Sequence, residues 1–185
     1  MYKRQTEYKA AQNSLRLYER FTGCLQNFTL KPQIVMLKAF SLTVYQSDET
    51  LPSNFWNKYN AKRMSQKLSG GRITEDYGVS FWNTEKNSLD YYIGIRSELA
   101  RGDLTKTLQI KIPEGLYAVF TTPPSIQNEF VSTINKTWNY INYTWLPRSC
   151  YSRTGGYEFE CYTEQSKNFT EDIYIPVTKT KMEEL

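Results

Sequence analysis

The sequence predicts an α+β fold. A duplicated β-α-β-β unit forms an antiparallel sheet with two helices on one face and a ligand cleft on the other, plus an N-terminal helix. Two observations lead to this prediction. The order strand–helix–strand–strand occurs over residues 33–98 and again over residues 107–179. Apolar and polar residues alternate within the strands, which is the pattern of a sheet with two different faces. Packing both amphipathic helices on one sheet is the simplest way to bury their apolar sides.

The first unit consists of a strand, a helix and two further strands, over residues 33–46, 51–71, 76–83 and 89–98. Its opening strand is rich in β-branched residues, which favour extended structure. Pro52 suits the first turn of the helix and Gly70-Gly71 suits its end. Asn87-Ser88 fits a hairpin loop between the last two strands.

The second unit has the same order, over residues 107–122, 125–145, 156–163 and 172–179. Pro113 and Gly115 interrupt its first extended run. Its helix is the clearest in the chain, because apolar residues recur three or four positions apart at Ile126, Phe130, Ile134, Trp138, Ile141 and Trp145. Ser125 is a suitable N-cap for this helix, and Pro147 is expected to end it.

A further helix is predicted before the duplicated units, over residues 5–22, with Gly23 as its stop signal. We therefore divide the chain into three parts. Residues 1–29 form a helical extension, residues 30–180 form the main domain, and residues 181–185 form a tail.

The sequence contains no histidine, and this absence excludes several kinds of chemistry. Ser-His-Asp and Cys-His catalysis and all zinc sites with histidine ligands are ruled out. The three cysteines, Cys24, Cys150 and Cys161, do not form a C-x-x-C motif, so a thiolate metal site is not expected either. We predict no cofactor and no metal.

The charge of the chain is only mildly basic, with 23 Lys and Arg against 19 Asp and Glu and a net charge of +4. The basic residues are scattered, so no direct contact of residues 30–180 with nucleic acid is expected. No apolar run is long enough to span a membrane, and we expect no membrane association. A small, odd number of cysteines without a signal peptide indicates the cytoplasm.

The alternation of the strand over residues 157–162, YEFECY, assigns its side chains to two faces. We assign its odd-numbered apolar residues to the helices and its even-numbered residues, including Glu160, to the uncovered face. The same rule places several aromatic residues on the uncovered face: Trp82, Tyr92, Tyr117, Tyr162 and Tyr174.

Aromatic rings around one carboxylate suit a flat, hydrophobic and cationic molecule. A cation over an aromatic ring gains about 0.5–2 kcal/mol, and a carboxylate adds charge complementarity. The alternative is that the aromatic residues only form cross-strand pairs and that the carboxylate is an ordinary exposed side chain. The pattern of residues leaves both interpretations open.

Five short stretches resemble the effector-binding domain of AraC-type transcription regulators, also called the GyrI-like small-molecule-binding domain. Residues 145–147 (WLP), 159–162 (FECY) and 173–176 (IYIP) follow each other in the order of that family, and residues 89–94 and 115–120 match two further stretches. The resemblance covers roughly residues 31–180.

The resemblance implies a duplicated β-α-β-β fold with a ligand cleft across the sheet, and it implies that Glu160 is the acidic residue of the pocket. It also implies a set of aromatic residues that line or brace the pocket: Trp82, Tyr92, Tyr117, Trp138, Trp145 and Tyr162. For Trp138 and Trp145 the helical spacing favours core support over ligand contact. Ser149-Cys150 replaces the small residue and glycine that the family has after Leu-Pro, so the shape of the rim is open.

Three functions remain open at the level of sequence. The first is a small-molecule effector-binding module, either of a bacterial transcription regulator or as a standalone multidrug-binding protein. The short N-terminal extension would then be the remnant of a DNA-binding domain, or a separate partner would bind DNA. The second is a hydrolase of reactive small molecules with Glu160 as general base. The third is a gyrase-inhibitor-type protein-interaction module.

Overall fold

A curled antiparallel sheet is the frame of the domain in the computed structural model, which describes residues 29–163 and 169–180. Its strands are β1 (Gln33–Leu37), β2 (Phe40–Gln46), β3 (Asp76–Asn83), β4 (Ser88–Arg96), β5 (Leu108–Ile112), β6 (Gly115–Thr121), β7 (Tyr151–Arg153), β8 (Tyr157–Thr163) and β9 (Thr170–Lys179). The predicted helix over residues 5–22 and the predicted tail lie outside the described residues.

The strand order shows the duplication predicted from the sequence. The sheet runs β1-β6-β9-β8-β3-β4-β2-β5, with β7 paired to β9. The first unit supplies β3-β4-β2 and the second supplies β6-β9-β8, and the two triplets meet where β3 pairs with β8. The first strand of each unit crosses over: β1 pairs with β6 of the second unit, and β5 pairs with β2 of the first.

The helices lie on one face of this sheet. They are α1 (Pro52–Ala61), α2 (Met64–Ser69) and α3 (Gln127–Tyr140), which continues as a π-helical turn over Ile141–Trp145 and ends after Leu146–Arg148. Phe55 and Tyr59 of α1 pack on Tyr91 and Ile93 of β4. The α+β fold class and the placement of the helices on one face are therefore confirmed.

The other face of the sheet encloses a hydrophobic core of its own. Phe40 of β2 contacts Phe159 of β8 with ring centroids 5.7 Å apart, and Tyr117 of β6 contacts the same ring at 5.8 Å. Strands from both ends of the sheet thus meet over the middle, which requires strong curvature. The buried members of this concave core are Leu42, Val44, Tyr77, Val79, Ile110, Ile112, Tyr117, Val119 and Phe159.

Several strand bounds differ from the sequence prediction by one or two residues, β7 was not predicted, and three differences are larger. The first extended run breaks at Lys38-Ala39 into β1 and β2, since these strands pair with opposite ends of the sheet. The first helix breaks at Arg63, which adopts a left-handed conformation with φ of 50°. Ser125 does not cap α3, because its backbone N–H and C=O both bond to Phe169 and Ile126 takes the N-cap position.

None of the described helices is both long enough and apolar enough to cross a membrane.

Candidate functional site

Glu160 lies at the centre of a hydrogen-bonded group formed by both units of the chain. The indole N–H of Trp138 in α3 donates to Glu160 Oε1 at 2.6 Å, and the hydroxyl of Tyr91 in β4 donates to Glu160 Oε2 at 3.1 Å. The indole N–H of Trp56 in α1 donates in turn to the Tyr91 hydroxyl at 2.8 Å. Two helices and two strands therefore fix the position of one carboxylate.

Gly78 makes room for this group on the neighbouring strand. It pairs directly with Glu160 across the junction of β3 and β8. A Cβ atom at position 78 would overlap the Tyr91 hydroxyl and would stand 3.1 Å from both Glu160 Oε2 and Trp56 Cζ2. A glycine inside a strand often marks a close approach of other groups, and here the approaching groups are the hydrogen-bonded side chains themselves.

An aromatic cluster borders the carboxylate on one side. Tyr162, two residues after Glu160, contacts Trp56 edge-on at a centroid distance of 6.4 Å and contacts Phe130 of α3 at 5.6 Å. Phe169 stacks on Tyr162 with an angle of 9° between the rings and also contacts Phe130. All four rings are only partly buried, so the cluster offers aromatic surface beside Glu160.

A second acidic residue, Glu171 of β9, lies on the same face. It is paired with Tyr162, and Ile173 two residues later is paired with Glu160. Its backbone is fixed by Thr122, whose side-chain oxygen accepts a hydrogen bond from the Glu171 N–H at 2.8 Å. The side chain is not held by such a bond. Its Oε1 atom is buried and has no hydrogen-bond partner among the described residues.

Burial controls the protonation of these groups. Desolvation raises the pKa of Glu160 above its usual value, and the hydrogen bonds from Trp138 and Tyr91 oppose that shift. Desolvation raises the pKa of Glu171 well above its usual value, and the nearby charges of Glu160 and Asp172 raise it further. The pKa of Tyr91 is raised by burial and by the charge of Glu160, so its hydroxyl remains a donor.

The prediction that Glu160 lies on the face away from the helices is wrong. Glu160 bonds to Trp138 of α3, and Phe159 points into the concave core on the opposite face. The error arose because the apolar residues of the strand were assigned to the helices. Both faces of this sheet are covered, one by the helices and one by the curvature of the sheet, so apolar character does not identify the helix side.

The predicted site residues therefore divide into two groups. Trp138 and Tyr162 lie with Glu160, and Trp138 contacts the carboxylate directly, although its helical spacing had favoured core support. Tyr92, Tyr117 and Tyr174 instead pack on the concave core and not beside Glu160.

Two predicted tryptophans also lie elsewhere. Trp82 is 54% exposed near the end of β3, where it pairs with Leu89. Trp145 packs edge-on against Phe120 and stacks on Tyr151, so it braces the end of α3. Its supporting role stays a prediction.

Several residues of the site were missed by sequence reasoning: Trp56, Gly78, Tyr91, Phe130, Phe169 and Glu171. Gly78 carried a usable signal, since an isolated glycine inside an alternating strand indicates a bulge or a close approach. The alternation rule that places Tyr92 on one face with Glu160 places Tyr91 on the opposite face, so a contact between Tyr91 and Glu160 was not expected. Among residues 29–163 and 169–180, no three Cys, Asp or Glu side chains are grouped as metal ligands.

Comparison with protein-family models identifies the family. The model of the Cass2 family, described as integron-associated effector binding protein, matches residues 33–177. The chain belongs to this family. The Cass2 match covers the first β-α-β-β unit, all but the last two residues of the second, and both residues bonded to Glu160, and it confirms the resemblance to effector-binding domains.

Solved structures share the fold of this Cass2 chain. SAV2435 bound to tetraphenylphosphonium aligns with a TM-score of 0.58 at 16% identity, over 80% of this chain and 94% of that one. The integron cassette protein VCH_CASS2 of Vibrio cholerae aligns with a TM-score of 0.55 at 19% identity, over 83% and 100%. The EcmrR C-terminal domain aligns with a TM-score of 0.52 at 12% identity, over 83% and 100%. A search of curated proteins gives no match.

Proposed function

We propose that the chain is an effector-binding module for hydrophobic, aromatic cations, with Glu160 as the charge-recognising residue. The observation that supports this most directly is the environment of Glu160. Its carboxylate accepts hydrogen bonds only from neutral donors, and no Lys or Arg in the described part of the chain forms an ion pair with it. The charge is therefore held in place without a counterion from the described residues.

A bound cation would provide the missing counterion. A carboxylate that is desolvated without a cationic partner carries a large free-energy cost, and a cation in contact with it offsets that cost. The partly exposed rings of Trp56, Phe130, Tyr162 and Phe169 would cover an aromatic ligand and add cation–π attraction. The site therefore offers the negative charge of Glu160 and aromatic rings for stacking side by side.

The fold neighbours support this ligand class. SAV2435 was solved with tetraphenylphosphonium, which is a hydrophobic aromatic cation, and its fold covers most of this chain. EcmrR, whose C-terminal domain shares this fold, was solved in complex with DNA, and this supports a role as one part of a DNA-binding regulator. We extend the proposal to a DNA-binding partner domain or chain, and to the cytoplasm, where the free thiols of Cys150 and Cys161 stay reduced.

Binding of tetraphenylphosphonium, measured by isothermal titration calorimetry, tests this function. Glu160→Gln keeps the shape and removes the charge, and we expect it to weaken binding at least about tenfold, the equivalent of 1.4 kcal/mol. Glu158→Gln is the matched control, because Glu158 lies on the same strand and face but pairs with Arg153 near solvent. We expect Glu158→Gln to bind normally. Equal affinity of wild type and Glu160→Gln would disprove the charge role.

A hydrolase is the second candidate, and the hydrogen bond from Tyr91 to Glu160 favours it. A carboxyl group with a raised pKa can act as a general base toward water, while a neutral phenol donates a hydrogen bond to the leaving oxygen. Turnover of an epoxide by wild type, with loss in both Glu160→Gln and Tyr91→Phe, would support catalysis. Binding of the substrate without turnover would leave the effector-binding role as the function.

A further inference from the structure

Glu171 is the one site group that neither the hydrogen bonds around Glu160 nor the aromatic cluster uses. It is only 5% exposed, and its Oε1 is buried without a partner in the described part of the chain. A buried polar atom without a partner costs about 1–3 kcal/mol in a folded protein. A buried polar atom without a partner in a native structure calls for an explanation, and a ligand that supplies the missing contact is one.

The pairing of β8 with β9 places Glu171 close to Glu160. Tyr162 is opposite Glu171 and Glu160 is opposite Ile173, so the two glutamates are diagonal neighbours on one face. Diagonal positions in an antiparallel pair are about 7–8 Å apart, with their side chains projecting to the same side. The electrostatic effect of Glu160 on Glu171, and of both on Tyr91, agrees with this proximity.

Within the described ranges, 29–163 and 169–180, no Lys or Arg forms an ion pair with either carboxyl group. The groups that face them are Trp56 from α1, Gly78 from β3, Tyr91 from β4, Trp138 from α3 and Thr122 after β6. Two further acids have hydrogen-bond donors of their own: Asp76 accepts a bond from Tyr59, and Asp172, whose charge also raises the pKa of Glu171, accepts one from Thr121. Neither glutamate forms an ion pair among the described residues.

We propose that the site has two anionic subsites, Glu160 and Glu171, and that it takes a flat aromatic dication whose positive groups lie at opposite ends of the molecule. This inference rests on the proposed function and adds the second charge. One charge of the ligand meets Glu160 beside Trp138, and the other meets Glu171 beside Tyr162. The Tyr162–Phe169 pair would cover the rings between the two charges.

A dication and a monocation differ in the protons that their binding releases. Two close carboxyl groups without a counterion do not both ionise readily, because each disfavours the charge of the other. A monocation needs one ionised carboxylate and leaves Glu171 protonated. A dication stabilises both charges, so its binding releases one proton more than binding of the monocation at a pH where both acids are protonated.

A matched pair of ligands tests the second subsite. Methyl viologen is a flat two-ring dication, and N-methyl-p-tolylpyridinium has the same two-ring shape with a single charge. We expect Glu171→Gln to weaken binding of methyl viologen at least about tenfold, since a full charge contact is lost in a desolvated site. The same variant should bind the monocation within about threefold of wild type, because glutamine resembles the protonated acid. Glu114→Gln, at an exposed loop position, is the control.

The number of protons released on ligand binding is a second measurement, and it requires only the wild-type chain. Calorimetry of the wild-type chain in buffers of different ionisation enthalpy reports the protons released on binding. We expect methyl viologen to release about one proton more than the monocation. Equal proton release, or an equal effect of Glu171→Gln on both ligands, would overturn the second subsite.

The outcome for tetraphenylphosphonium separates the two proposals. If wild type binds tetraphenylphosphonium and Glu160→Gln does not, the proposed function stands whatever the result for the dication. If methyl viologen then binds no better than the monocation, only the second subsite is wrong. If no cation binds to wild type, both proposals are wrong.

Discussion

Gly78 and Glu160 are paired directly across the junction of β3 and β8, and the absence of a side chain at position 78 leaves the space in which Tyr91 reaches the carboxylate. The two β-α-β-β units are joined at this pair. Glu160 comes from the second unit, and Gly78, Tyr91 and Trp56 come from the first.

Gly78→Ala is expected to reduce binding of tetraphenylphosphonium at least about tenfold, because the new methyl group displaces the Tyr91 hydroxyl and breaks its bond to Glu160. The crowding should also lower the free energy of unfolding by about 1–3 kcal/mol. Calorimetric titration and urea unfolding measure the two effects. Gly115→Ala is the control, because a Cβ there meets only a Tyr117 ring atom at 3.8 Å. Normal binding by Gly78→Ala would show that the Tyr91–Glu160 bond is not needed.

Trp138→Phe should move the pH dependence of cation binding to higher pH. The indole N–H stabilises the ionised form of Glu160 and opposes the effect of burial, so its loss raises the pKa of Glu160 further. Affinity for tetraphenylphosphonium at neutral pH should fall and should recover as the pH rises. A titration series by calorimetry tests this, with Trp145→Phe as the control that lacks contact with Glu160. A pH midpoint that does not move would contradict the role given to Trp138.

Glu171→Gln should make the unbound chain more stable, and the gain should increase with pH. Burial raises the pKa of Glu171, so the folded chain holds its proton at pH values where the unfolded chain has lost it. The free energy of unfolding therefore falls as the pH rises from about 4.3, the ordinary pKa of glutamate, through the raised pKa. Glu171→Gln has no proton to lose at this position, so its free energy of unfolding does not include this decrease with pH. Urea unfolding of both proteins at several pH values measures the difference, and parallel curves would show that Glu171 does not titrate differently on folding.

Phe159→Ala is expected to destabilise the domain by about 3–5 kcal/mol, which is typical of truncating a fully buried aromatic side chain. Phe159 is 2% exposed and contacts the rings of Phe40, Tyr117 and Tyr174 in the concave core. Trp82→Ala should cost less than about 1 kcal/mol and should not change cation binding, since Trp82 is mostly exposed. Urea unfolding compares the two variants. Similar losses would show that the concave core is not the main source of stability.

The sequence allowed the α+β class, the duplication and most strand positions to be predicted, because these depend on local alternation and on start and stop signals. β3 was predicted with the bounds that the structure shows. Glu160 was selected as the acidic candidate through the motif at residues 159–162 and the resemblance that it supports, and the structure places it at the centre of the hydrogen-bonded group. Residues that are close in the sequence determine these features, so the sequence alone predicts them.

The faces of the strands could not be predicted in the same way. Alternation separates Glu160 from Phe159, but it does not say which of them meets the helices when both faces are buried. That choice depends on long-range pairing, here Glu160 with Ile173 and Gly78. For the same reason Tyr92 and Tyr117 were grouped with Glu160, although the curvature of the sheet places them on the concave core. Glu171 was missed because nothing in its local sequence separates a buried acid from an exposed one.

The crossing of β1 to β6 and of β5 to β2 means that neither repeat is a self-sufficient folding unit. A chain divided in the loop after Asp103 would give two fragments, each with an edge strand whose pairing partner lies in the other. The residues around the carboxylates are divided as well, with Trp56 and Tyr91 on the first fragment and Glu160 and Glu171 on the second. We expect the fragments to bind cations only after they associate, so this domain could serve as a split reporter whose reconstitution is detected through its ligand.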